Sequence, residues 1–151
     1  MNTDIIGKFL GIALAFVLLV VAPFIEYTAQ QTSLDSRAIV SVVNNFIDEV
    51  VDSREITDSM LRQFNADLAQ YSIAVDYEII RERRVIDPDP LNPGEYYPSM
   101  VVTDDNRHYE QGDHITVHIY EVGTSASASI AYRLARVTQP RLDYTFSARV
   151  R

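Results

Sequence analysis

The chain has 151 residues, a formal net charge of −8, a pI near 4.7 and no cysteine. That length accommodates one long apolar segment plus a single domain of about 100 residues. The acidic balance argues against nucleic acid as a partner, because phosphate binding needs a basic face. The absence of cysteine excludes disulfides, thiolate metal sites and cysteine nucleophiles.

The charge is unevenly placed. Between Glu26 and Leu68 the acids Glu26, Asp35, Asp48, Glu49, Asp52, Glu55, Asp58 and Asp67 outnumber Arg37, Arg54 and Arg62. Between Ser129 and Arg151 the balance reverses, with Arg133, Arg136, Arg141, Arg149 and Arg151 against Asp143. This is either ordinary solvated surface or an acidic stem that meets a basic tip, within one chain or between copies.

The N-terminal residues MNTDIIGK are short and polar. From Phe9 to Ile25 no charge interrupts the run FLGIALAFVLLVVAPFI. As a helix it spans roughly 25 Å, just enough to cross a bilayer. No small-x-small cleavage site follows it, so the segment is expected to stay attached rather than leave as a signal peptide. The polar domain beyond it is expected outside the cytoplasm. Gly7 and Gly11 sit at the small-xxx-small spacing that lets a second helix approach closely. Pro23 removes one helical donor and crowds the carbonyl of Leu19, which predicts a kink or local melt there.

After Pro23 the helical period continues. Leu34, Ala38, Ile39, Val42, Val43, Phe46, Ile47 and Val50 form an apolar stripe, with no Gly or Pro from Phe24 to Ser53. The simplest reading is one helix from about Asp4 to Asp52, apolar all round in its first half and amphipathic in its second. Thr32 and Ser33 offer an alternative start for a separate second helix. Thr57 reads as an N-cap for a short helix over 58–69, with Met60, Leu61, Phe64 and Leu68 on one face.

From Tyr71 the period changes to two. Ile73, Val75, Tyr77 and Ile79 mark a half-buried strand. The run Asp87-Pro88-Asp89-Pro90-Leu91-Asn92-Pro93-Gly94 reads as a loop. Further strands are expected over Tyr97–Val102, His114–Tyr120, Ile130–Val137 and Leu142–Val150, with a turn at Asp104–Asn106 and a small flexible loop from Gly123 to Ser129. The result is an antiparallel sheet whose apolar face covers the helix stripe. Ile39, Val43, Phe46 and Val50 are the expected core.

No constellation for catalysis emerges. His114 and His118 lie on a strand pattern, where four residues span roughly 13 Å, so surface imidazoles are expected rather than a metal pair. Asp104, Asp105, Asn106, Glu110 and Asp113 match no EF-hand spacing. The Asp87/Asp89 pair reads as a solvated turn. There is no nucleophile elbow around Ser125, Ser127 and Ser129, and no glycine-rich phosphate loop. Neither an enzyme activity nor a cofactor is expected.

The layout resembles a family at this point. The run Ala22-Pro23-Phe24-Ile25-Glu26-Tyr27-Thr28-Ala29-Gln30 is similar to the proline-acidic-Tyr-Thr-Ala run of type IV pilins. Phe46-Ile47-Asp48, Asn65 to Leu68, and Gly112-Asp113-His114-Ile115-Thr116-Val117 follow in the order of the TadE-like branch. The resemblance implies a pilin-like α+β fold, with residues 1–30 as the transmembrane or filament-core helix. Residues 31–151 would form the extracytoplasmic domain: helix continuation 31–52, short helix 58–69 and sheet 71–151. It implies a structural subunit of an extracellular type IV pilus-like filament, stored in the cytoplasmic or inner membrane before assembly. The partners would be other copies of itself and the pilus or secretion assembly machinery. The assembly residues would be Asp4, Gly7, Phe9, Leu10, Gly11, Ile12, Leu14, Phe16, Val17, Leu18, Val20, Val21, Pro23 and Phe24. Asp4 would stand for the acid that pilins place near the start of the mature helix. The rival expectation is a single-pass anchor carrying an extracytoplasmic binding domain, such as a minor component of such a machine.

Overall fold

A computed structural model describes residues 2–92, 94–123, 129–130, 132–133, 136, 138 and 141–151, with side chains described from Ile5 onward. It is an α+β arrangement: one long helix packed on a four-stranded antiparallel sheet. The helix is continuous through three parts, α1 (Asn2–Phe16), a π segment (Val17–Val21) and α2 (Ala22–Ser53). Together they run roughly 75–80 Å. Thr32 and Ser33 therefore start no separate helix. Thr32 donates its hydroxyl to the Thr28 carbonyl at 3.0 Å instead.

Pro23 neither melts the helix nor ends it. The chain widens just before the proline into a π turn, in which the Ala22 N–H reaches back five residues to the Val17 carbonyl. An i→i+5 step makes room for the proline ring, which a regular α-turn would drive into the Leu19 carbonyl. The Thr28 hydroxyl, one turn past the proline, bonds the Phe24 carbonyl at 2.9 Å.

The helix ends at Arg54, which takes φ of 61° and donates its N–H to the Val50 carbonyl at 2.8 Å. A left-handed Arg costs about 1 kcal/mol where glycine would cost little. Its guanidinium bonds the Arg151 carbonyl at 2.7 Å, which ties the helix end to the C-terminus. Helix α3 (Asp58–Leu68) then runs back along α2, capped by the Thr57 hydroxyl, which accepts from the Met60 N–H at 3.2 Å.

The sheet has the order β2-β1-β3-β4, with β1 (Ala74–Pro88), β2 (Tyr96–Thr103), β3 (His114–Gly123) and β4 (Asp143–Arg149). Strand β1 is far longer than its alternation suggested and takes in Asp87 and Pro88, which were expected in a loop. The charged run Arg81-Glu82-Arg83-Arg84 hides the period, because an arginine occupies a core-facing position. Pro88 is tolerated as the last residue of the strand, opposite Tyr96. The connection that follows is built on Asp89. It accepts from the Leu91 N–H and the Asn92 side chain, both at 2.8 Å, and these bonds hold its carboxyl below the usual range.

The first part of β1 pairs with β3, from Ala74↔Gly123 to Glu82↔His114, and the second with β2, from Arg81↔Thr103 to Pro88↔Tyr96. The two pairings overlap only at Arg81 and Glu82. Beyond them β1 and β2 form a two-stranded arm. Strand β4 pairs with β3 along its length. Of the strand expected over 130–137, the described residues Ile130, Tyr132 and Arg133 are helical and Arg136 lies in a turn with φ of 55°, while residues 131, 134, 135 and 137 lie outside the description. Residues 124–128 of the expected flexible loop also lie outside the described residues.

The core lies between α2, α3 and one sheet face. Ile39, Val43 and Val50 of α2 and Ile115, Val117 and Ile119 of β3 have no exposed surface, and Phe46 and Ile47 are nearly as enclosed. Each such side chain contributes about 1.5–3 kcal/mol of burial. Phe64 of α3 stacks on Phe46 at 4.4 Å and meets Tyr77 of β1 edge-on at 4.9 Å, so one ring joins three elements. Leu34 departs from the expected stripe and is exposed. Its neighbour Asp35 takes the inward place, where Oδ2 accepts from the Ser72 N–H at 3.1 Å and from the Ser72 hydroxyl, and Oδ1 from Gln31 at 3.0 Å. Phe64→Ala should lower unfolding stability by about 3–5 kcal/mol in denaturant titrations of the full chain in detergent, while Leu34→Ala should change it by less than about 0.5 kcal/mol.

Candidate functional site: the bare half of the helix and the ionic knot of the domain

The apolar residues of α1 and the π segment are uncovered. Large side chains between Phe9 and Val20 are 49–76% exposed. The most apolar eighteen-residue window of the helix has no buried residue, and the helix is long and apolar enough to cross a membrane. Phe9, Leu10, Ile12, Leu14, Phe16, Val17, Leu18 and Val20 point out on every side, and Val21 is half-buried. Gly7 and Gly11 share a face with nothing within 4 Å of where a Cβ would sit. Pro23 and Phe24 are exposed just beyond the π turn. Asp4 lies in the first turns of α1, and its side chain is outside the description. Ile5, Ile6 and Leu19 extend the set beyond the residues expected. Leu19 lies within the apolar run, Ile5 and Ile6 precede it across Gly7 and Lys8, and their residue types alone were the signal.

Just above this segment the polar side chains bond within the helix. The Thr28, Thr32 and Ser36 hydroxyls each donate to the carbonyl four residues back, at 2.8–3.0 Å. Gln30 reaches Glu26 at 3.4 Å. Hydroxyls satisfied by their own helix carry little desolvation cost near an apolar boundary.

The second polar feature lies within the domain. Arg81, 5% exposed, donates from Nε and Nη2 to Asp113 Oδ2 at 2.8 and 2.6 Å. Asp113, 2% exposed, also accepts from the Glu110 N–H at 3.0 Å and the Arg84 N–H at 3.2 Å. Nη1 of Arg81 reaches the Asp105 carbonyl at 3.2 Å, and Asn106 bridges the β1 backbone by accepting from the Arg81 N–H and donating to the Ile79 carbonyl. The Arg81 guanidinium lies 5.4 Å from the centre of the Tyr109 ring. Burial pushes the Asp113 carboxyl upward. The Glu110 N–H, the Arg81 guanidinium and the Arg84 N–H overcome that push and hold it below its ordinary 3.8. Burial also raises the Tyr109 hydroxyl to about 12, and that hydroxyl has no hydrogen-bond partner among the described residues. Gly112 makes the turn before Asp113 with φ of 97°, and its N–H bonds the Val150 carbonyl at 2.9 Å. The Gly112-Asp113 pair thus places a buried counter-ion for the arginine in β1.

This arrangement occupies part of the acidic loop considered for a cation. Asp113 is taken up by Arg81, Asn106 by the β1 backbone, and Asp105 by the Arg107 N–H at 3.0 Å. Among the described residues no cluster of three or more His, Asp or Glu side chains is placed to hold a metal. His114 and His118 lie along β3, and His118 pairs with Asp143 at 2.8 Å. No described ion pair joins the acidic stretch before Leu68 to the basic stretch after Ser129. No protein family, curated protein or solved structure matches this chain.

Asp113→Ala should cost about 3–5 kcal/mol, because it leaves a buried guanidinium unpaired, whereas Tyr109→Phe should be neutral within about 1 kcal/mol, because its hydroxyl has no partner to lose. The folded Asp113 titrates below 3.8, so its contribution is complete above that value and is lost as the pH falls through the lowered folded value. Unfolding midpoints followed between pH 2 and pH 6 should therefore drop on the acid side, and Asp113→Ala should flatten that drop.

Proposed function

We propose that this chain is a structural subunit of an extracellular, type IV pilus-like filament, held before assembly as a single membrane span. The observation that carries this reading is a helix with two environments. Its C-terminal half is enclosed by a sheet and a second helix, while its N-terminal half is apolar on every face and bare. Water cannot be the resting surroundings of that half. Lipid covers it in storage, and neighbouring copies cover it in a fibre. Lipid tails are as apolar as the segment itself, so the gain on leaving the bilayer for a fibre comes from close side-chain packing between neighbouring helices. Gly7 and Gly11 leave one face open to a close helix neighbour. The π turn keeps the helix continuous from its apolar half into the domain. A head-to-tail contact between such rods does not close, so it grows into a helical polymer. The assembly residues are those from Asp4 to Phe24 named above, and the remaining partners are the membrane and the pilus or secretion machinery.

A second reading is a single-pass anchor with an extracytoplasmic binding domain, as in a minor component of such a machine. It is favoured by the exposed apolar residues of the β1–β2 arm, Ile86, Tyr96, Met100 and Val102, which no other described part of the chain covers. Negative-stain electron microscopy of material sheared from the producing cells separates the two. The filament reading expects thin uniform fibres that contain this chain by mass spectrometry. Recovery only from detergent-solubilised membranes, as single particles, leaves the anchor. Leu18→Arg should cost about 3 kcal/mol of membrane insertion, abolish fibres and leave the thermal midpoint of the domain unchanged.

A further inference from the structure

The two ends of the domain differ in charge and in shape. From Val85 to Asn106 the acids Asp87, Asp89, Glu95, Asp104 and Asp105 occur with no Lys, Arg or His. This stretch holds the β1–β2 arm and its tip. At the tip the turn built on Asp89 presents Leu91, which at 86% is the most exposed of the large apolar side chains described. Glu95 is exposed next to that turn, and its carbonyl accepts from the Asp89 N–H at 2.8 Å. Neither Asp89 nor Glu95 has an ion-pair partner among the described residues.

The opposite end carries a groove of about 280 Å³. Val40, Ile73 and Leu142 give it an apolar lining, and Arg37, Arg141 and Glu121 are its charged residues. Two guanidiniums stand against one carboxylate there, so the groove is net positive with Glu121 counted. Arg133 adjoins Tyr132 of the lining. Ser72 bonds Asp35 near the groove, whereas Arg81 reaches Asp113, whose backbone pairs with Val150 near the C-terminal end of α2. Strand β1 therefore climbs from the groove end to the far end, and the arm projects beyond it. The groove is level with Ser36, about 21 Å of helix below Val50. The arm reaches at most about 23 Å past Arg81.

We propose that the arm tip of one copy docks in the groove of the next copy along the fibre, with Leu91 in the apolar lining and Asp89 and Glu95 against Arg37 and Arg141. The inference rests on the filament reading and names a contact for it outside the apolar span. An apolar side chain flanked by acids matches an apolar groove edged by arginines. A space of that size admits one aliphatic side chain. Such a tip covers far less than the roughly 800 Å² per partner that an independent complex buries. The contact therefore holds only between chains that their spans already align, which selects a second copy over a free partner. Tip and groove are different surfaces, so the contact runs head to tail and does not close. In a bilayer all copies sit at one depth, which leaves tip and groove up to about 45 Å out of register. The contact forms only once a copy has moved along the fibre axis.

The chain has no cysteine, so an introduced pair carries the only thiols. Sheared fibres of the full chain with Leu91→Cys and Ser33→Cys, the latter exposed in the groove lining, are oxidised and run on denaturing gels. The expected result is a ladder of covalent multimers from fibres and none from membranes before assembly. Leu91→Cys with Gln63→Cys, exposed on α3 away from the groove, should give no ladder. In the cysteine-free chain, Glu95→Arg should lower fibre yield on the order of tenfold. Adding Arg141→Glu should restore it, which a general disturbance of the surface would not do. Unchanged thermal midpoints show that these variants fold. Fibres without a ladder, an equal ladder from the Gln63 pair or from membranes, or no rescue by the charge swap overturns the docking and leaves the filament standing. Absence of fibres from the unaltered chain overturns the proposed function, and this inference with it.

Discussion

Ile39, Val43 and Val50 lie on one side of α2, and Ile115, Val117 and Ile119 of β3 close over them without a gap to solvent. The rest of the domain depends on that contact. Helix α3 seals one flank through Phe64. Strand β1 seals another through Val75, Tyr77 and Ile79, which are partly buried against the same cluster. The contact also divides the long helix into two chemistries. Where the sheet ends, the helix has no protein cover, and its composition changes within two turns from amphipathic to apolar on all faces. One rod therefore joins an interior that is complete within the chain to a surface that something outside the chain must cover.

The buried ion pair secures the far side of this assembly. Arg81 sits where a core-facing aliphatic residue would be the simpler choice. Because the two β1 pairings overlap there, the arginine stands at the junction between the compact sheet and the projecting arm. Asp113 fixes it, and the Glu110 and Arg84 N–H groups satisfy the oxygens that remain. An apolar pair would pack equally well, but it would not hold the 103–113 connection at a defined angle to β1. Asp35 and Ser72 perform a similar task at the opposite end, tying α2 to the start of β1 without an opposite charge.

The helix and most of the sheet were legible in the sequence because their periods are clean. The stripe from Ala38 to Val50, the Thr57 cap, and the alternation over His114–Tyr120 and Leu142–Val150 all read directly as elements. Three features were not legible, each for a physical reason. The second half of β1 carries four consecutive charged residues, one of which is a core residue only because Asp113 meets it. Leu34 and Asp35 exchange the roles that hydrophobicity assigns them, since a carboxylate with three donors can be buried and an isolated leucine can be exposed. At Pro23 the expectation of a kink or melt identified the disturbed carbonyl, and the helix there widens into a π turn without melting, which periodicity alone does not show. The apolar span itself was fully legible, since exposure of such a run needs no tertiary information.

The π turn has a consequence for symmetry. One extra residue in a helical turn rotates everything before it by about 100° relative to an unbroken α-helix. The azimuth at which Gly7 and Gly11 face outward, measured against the sheet, is therefore set by the turn that Pro23 induces. In an assembly of identical rods that angle decides which neighbour each span meets, and so the handedness and pitch of whatever is built. A proline that touches neither the core nor a ligand would then act as the dial for the geometry of the whole array.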